Sequence, residues 1–125
     1  MPEKKRSTRK IGREQEERAA RYLEQNGCRI LEHNFSGRFG EIDLIAADQE
    51  TLVFVEVKFR KDPSSFDPAL AVNRKKQEKI SKTADYYRAI HRIPSDVPCR
   101  FDVVAETEDG IRWYQDAFPY RGTGW

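Results

Sequence analysis

Nine consecutive residues, Leu52-Val53-Phe54-Val55-Glu56-Val57-Lys58-Phe59-Arg60, most restrict how this chain can fold. Side chains of a strand alternate between faces. Val53, Val55, Val57 and Phe59 therefore point one way, and Leu52, Phe54, Glu56, Lys58 and Arg60 the other. An acid and a lysine leave the same face of a very hydrophobic strand. The preceding segment, about Glu41 to Ala47, repeats the oddity, with Ile42, Leu44 and Ala46 on one face and Glu41, Asp43 and Ile45 on the other. Its connector to the next strand, Asp48-Gln49-Glu50, is short and polar, so the two strands are expected to pair as an antiparallel hairpin. In that pairing Asp43 and Glu56 sit side by side.

The remaining elements follow from periodicity and punctuation. Met1 to Ile11 reads as a disordered basic arm, charged and without period. A helix is expected from about Arg13 to Gln25, with Ala19, Ala20, Tyr22 and Leu23 as its apolar stripe and Asn26-Gly27 as its stop. A short strand, Cys28 to His33, precedes the hairpin. Lys61 to Pro68 is a polar loop, and a second helix spans about Asn73 to His91. Strands over Arg100 to Glu106 and Ile111 to Gln115 complete the order. A helix between two parallel strands is a crossover. The prediction is an α/β fold, a mixed sheet flanked by helices, over residues 12–117. Residues 118–125 form an aromatic tail.

At 125 residues the chain has the size of a single domain. Charged residues make up 35% of it, and no apolar run approaches a membrane span. No signal-peptide stretch opens it, so a cytoplasmic location is expected. Cys28 and Cys99 are not in a CxxC, and His33 and His91 do not complete a zinc set around them. Both cysteines are expected reduced, in or near the core. Net charge is only +2, but basic residues cluster, in the arm and again at Arg74, Lys75, Lys76, Lys79 and Lys82. Such clusters attract phosphates, and they also describe an ordinary solvated tail and helix face.

Two neighbouring carboxylates repel unless a proton or a cation lies between them. Oxygen ligands suit a hard cation such as magnesium or manganese. Glu16 precedes Ala19, Ala20 and Leu23 by three, four and seven positions, so it shares the helix face that meets the sheet. The bland alternative is an exposed, polar-out sheet face carrying an ion pair, with Asp43 an edge residue and Glu16 a solvated acid.

Gly40-Glu41-Ile42-Asp43-Leu44-Ile45-Ala46 with Phe54-Val55-Glu56-Val57-Lys58 resembles the bacterial YraN family. The paired segments look like the PD-(D/E)XK nuclease core and are similar to archaeal Holliday junction resolvases. Gly12 with Glu16, Ala19 to Leu23, Asn34, Lys76-Gln77 and Arg100-Phe101-Asp102-Val103-Val104 also fit, and the likeness runs from about Gly12 to Val104. The resemblance implies a restriction-endonuclease-like fold and a DNA nuclease. It implies Asp43, Glu56 and the backbone carbonyl of Val57 as ligands of magnesium or manganese, with Glu16 an acid reaching the metal, directly or through water. Lys58 would position or activate the attacking water. Arg60, Arg74, Lys75, Lys76 and Lys79 would hold flanking DNA backbone, contacts that position without reading sequence. Branched or recombination intermediates are then the expected substrates, and a homodimer the expected assembly. The competing readings are a non-catalytic nucleic-acid-binding module that keeps the fold, and a protein-interaction domain using Trp113, Tyr114, Phe118, Tyr120 and Trp125.

Overall fold

A computed structural model describes residues 2–60, 67 and 71–122, with only the backbone described for residues 2–11. The elements are α1 (Pro2–Gln25), β1 (Cys28–Gly37), β2 (Gly40–Asp48), β3 (Thr51–Phe59), α2 (Arg74–Ile90), β4 (Cys99–Thr107) and β5 (Gly110–Phe118). They form one five-stranded sheet in the order β1-β2-β3-β4-β5. All neighbours are antiparallel except β3 and β4, which run parallel and are joined through α2. The fold is thus α/β, a mixed sheet flanked by two helices, an arrangement compatible with a restriction-endonuclease-like core.

The two helices cover opposite faces. Ala19, Ala20 and Leu23 of α1 pack on Leu44, Ala46, Val53, Val55 and Val104. Ile80, Ala84 and Tyr87 of α2 pack on Ile45, Leu52, Phe54, Phe101 and Val103. The expected alternation of β3 therefore places its two apolar sets in two cores. Helix α1 stops where Gly27 takes φ 98°, a left-handed conformation that costs glycine little. Asn73 caps α2, its side chain accepting the Lys76 N–H at 2.8 Å.

Three local expectations need correction. Helix α1 begins well before Arg13 and takes in the segment read as a disordered arm; Lys, Arg and Glu are good helix formers, and nothing there breaks a helix. Residues 118–122 are not a separate tail. Phe118 is buried and stacks on Phe101, Tyr120 donates to Asp85 at 3.0 Å, and the Arg121 N–H donates to Ser81 Oγ at 2.9 Å. These aromatics pack on their own domain, while Trp125 lies outside the described residues. Finally, Ile42 does not share a face with Leu44 and Ala46 but joins the core under α2. The alternation breaks at Asp43, and that break builds the site.

Candidate functional site

Strands β2 and β3 pair from Asp48–Thr51 to Leu44–Val55, and the ladder ends there. On the other side of β2, Asn34 of β1 takes φ 51°, between the pairs His33–Leu44 and Phe35–Ile42. Beyond Leu44 the two strands part, and the Asp43 side chain enters the seam. Its Oδ2 accepts the Val57 N–H at 2.8 Å, standing in for the backbone carbonyl that the ladder no longer supplies.

Glu56 is one residue beyond the last pair and is only 6% exposed. That excludes the exposed ion-pair face as its setting. Burial, the hydrogen bond to Asp43 and the Asp43 charge together push its pKa up to about 8, against the pull of Lys76 and Lys58. Asp43 beside it thus favours the protonated form of Glu56. The opposing cation is close: Lys76 Nζ lies 3.2 Å from Glu56 Oε1. Asp43, Glu56 and Lys76 line a solvent-open pocket of about 140 Å³. Gly40, Glu41, Lys79 and Ile80 complete its wall.

Two lysines meet here. Burial lowers the pKa of Lys58, Glu56 raises it, and the hydrogen bond and charge of Lys76 lower it again, for a net fall. Lys76 is raised: burial opposes its charge, but Glu56, the hydrogen bond to Lys58 and Asp43 outweigh it. The site thus favours the charge on Lys76 and disfavours it on Lys58. Sequence reasoning placed Lys76 among backbone-gripping residues and missed its contact with Glu56. One signal was present. The first turn of α2 carries Arg74, Lys75 and Lys76 and no acid, although cations are disfavoured at the positive end of a helix. An anionic neighbour was required, and for Lys76 it is Glu56.

Glu16 approaches from the α1 side, held by the Arg18–Glu106 ion pair at 2.8 Å, which ties α1 to β4. Its pKa is raised by burial and by the charges of Asp43 and Glu41, against a hydrogen bond from Asn34. Its Oε2 is buried without a hydrogen-bond partner among the described residues. Asp43 in the seam is the acid that both Glu16 and Glu56 sense. Even so, among the described residues no three His, Cys, Asp or Glu side chains stand close enough to hold one ion together. The carboxyl oxygens of Asp43 and Glu56 are donors of the kind that suit a hard divalent cation. Of the other predicted residues, Lys79 is an exposed wall of the pocket and Lys75 is exposed. Arg74 lies on the surface 3.8 Å from Glu78, and Arg60 bonds the Phe59 carbonyl at 2.8 Å. Loop residues 61–66 lie outside the described residues.

The raised Glu56 pKa gives a signed prediction. Between its ordinary 4.5 and about 8 the folded chain holds a proton that the unfolded chain has released. Stability from this group is complete below 4.5 and is lost as pH rises toward about 8. Thermal melts in chelator should show Tm falling across that window, and Glu56→Gln should flatten the fall. A Tm profile identical in both proteins contradicts the raised Glu56 pKa.

No helix among the described residues is long and apolar enough to cross a membrane. The pattern that defines Uncharacterised protein family UPF0102 matches residues 15–105. The chain is 42% identical over 112 residues to a UPF0102 protein of Lachnoclostridium phytofermentans, covering 90% of this chain and 95% of that one. A UPF0102 protein of Alcanivorax borkumensis is 42% identical over 118 residues, covering 90% and 94%. One from Vibrio parahaemolyticus is 42% identical over 113 residues, covering 89% and 93%. The matched span holds Glu16, Asp43, Glu56, Lys58 and Lys76, and the chain belongs to protein family UPF0102, the YraN family that its paired motifs resemble.

Proposed function

We propose that this chain is a metal-dependent nuclease that hydrolyses DNA phosphodiester bonds in the cytoplasm, selecting branched or otherwise distorted DNA over a particular sequence. The observation that carries the reading is the meeting of Asp43 with a buried Glu56, 3.2 Å from Lys76 Nζ, in the wall of an open pocket. Buried acid pairs without a task are normally satisfied by donors. Among the described residues this pair has one backbone donor and one ammonium for two carboxyl groups.

Asp43, Glu56 and the Val57 carbonyl would hold magnesium or manganese. The bound ion supplies positive charge for the scissile phosphate and acidifies a water. The chain's own groups do the rest. Lys58 would position or activate the attacking water and steady charge on the phosphorane. Lys76, paired with Glu56 here, would turn to a phosphate oxygen once that carboxylate served a cation. Glu16 orders water next to Asp43. Lys79, Lys75, Arg74 and Arg60 grip neighbouring phosphates, and such grips position the strand without reading it. A homodimer would present two pockets to a two-fold symmetric junction.

The test is cleavage of four-way, single-stranded and blunt duplex DNA in magnesium or manganese, with chelator as control. Products that form with metal and vanish with chelator are the expected result. Salt-dependent binding with no cleavage of any substrate would assign the chain to the non-catalytic module instead.

A further inference from the structure

The turn between β1 and β2 is made of two residues, Arg38 and Phe39, closed by the Gly37–Gly40 pair. Two-residue hairpin turns favour Asn, Asp and Gly. A phenylalanine there satisfies no demand of the turn. It does not serve the core either, since Phe39 is 45% exposed. Two cations lie near its ring, the Arg38 guanidinium 5.6 Å and Lys82 Nζ 5.1 Å from its centre.

The surroundings extend the pattern. Lys75, Lys79, Lys82 and Tyr86 are all exposed and fall at i, i+4, i+7 and i+11 of α2, one stripe along the helix. Among the described residues none of these three lysines has a carboxylate partner. Tyr86 closes the stripe against the hairpin. It fits because position 37 has no side chain: a Cβ there would come 3.1 Å from the ring. The hairpin tip and the stripe also border the acidic pocket, because Gly40 and Lys79 are part of its wall. An exposed ring flanked by cations thus stands beside the candidate active site.

We propose that Phe39 is a stacking position for an unpaired base, with Lys79 and Lys82 holding the phosphates on either side, so that the substrate strand is single-stranded where it leaves the pocket. This rests on the phosphodiester reading of that pocket. A nucleotide supplies a π-face and an anion together, which is what the ring and its cations ask for. A closed duplex offers phosphates but hides its base faces. A protein partner with an apolar patch would have to desolvate the cations around the ring.

Fluorescence anisotropy of labelled single-stranded and blunt duplex DNA, with the full chain in chelator, tests this apart from cleavage. Phe39→Leu keeps apolar bulk and removes the π-face; Phe39→Trp restores it. The proposal expects Leu to weaken single-strand binding by roughly 5- to 100-fold, Trp to bind like wild type, and duplex binding to change little. Equal single-strand affinity of Leu and wild type overturns it, as does an equal loss on both DNAs or a loss that Trp does not restore. Far-ultraviolet dichroism identifies any variant that fails to fold, and for such a variant Phe39→Met replaces Leu in the same comparison. The Leu effect in a chain that cleaves nothing supports stacking and removes the nuclease; cleavage without the Leu effect removes stacking alone.

Discussion

Lys58→Ala is expected to cut metal-dependent cleavage by about 10²- to 10⁴-fold, the usual weight of a positioned proton-transfer group. Lys58 earns this role by its setting. It leaves β3 on the same face as Glu56, two residues on, and it meets the Lys76 ammonium. Burial and that second cation hold its pKa below the ordinary lysine value, the direction that suits a group taking a proton at neutral pH. Binding of the same DNA in chelator should weaken far less, because the phosphate contacts proposed for Lys75 and Lys79 would remain. Kinetics under single turnover separate the two effects. Cleavage that persists unchanged in the variant identifies a contaminating nuclease or a site elsewhere.

Asp102→Ala is expected to destabilise the fold by about 3–5 kcal/mol, the usual loss when one partner of a buried charge network is removed. Asp102 is fully buried. Its carboxylate accepts from Arg100 Nε at 3.1 Å, from Trp113 Nε1 at 2.8 Å and from the Asp116 N–H at 2.8 Å. Removing it orphans an indole N–H and a backbone N–H. It also leaves Arg100, part-buried, with Asp48, at 2.8 Å, as its one carboxylate among the described residues. Asp102→Asn keeps an acceptor and should lose less. Urea unfolding followed by dichroism measures both. A loss under about 1 kcal/mol for the alanine variant, the scale of one ordinary hydrogen bond, contradicts the network's structural role.

Asp102 and Asp43 use the same device to different ends. Each accepts a backbone N–H where a ladder is irregular, Asp102 at the β4–β5 register shift and Asp43 where β2 leaves β3. Asp102 is then saturated by an arginine and a tryptophan. Among the described residues Asp43 accepts only the Val57 N–H and abuts a second acid. That contrast separates a saturated aspartate from an unsaturated one, and both stand in segments that the sequence marked.

What was legible in the sequence was local. Asn73 and Asn26-Gly27 delimit helices through their own side chains and backbone preferences. The short connector after Asp48 pairs β2 with β3 and so brings Asp43 beside Glu56, and the alternation of β3 sorts its residues onto two cores. What was not legible depends on partners far along the chain. The break at Asp43 accompanies Asn34 on another strand, so the face of Ile42 could not be read from β2 alone. The Lys76–Glu56 contact joins α2 to β3. The docking of Tyr120 and Arg121 depends on Asp85, Gln77 and Ser81, and no pattern within the last eight residues reveals it.

Titration of the full chain with Mn²⁺, followed by the electron paramagnetic resonance of the free ion at pH 8, reaches the central claim without any DNA. Wild type should remove manganese from solution in a saturable way, magnesium should compete, and a double variant, Asp43→Asn with Glu56→Gln, should leave the ion free while keeping its fold. Manganese uptake by that variant equal to wild type would contradict a cation held between these two strands.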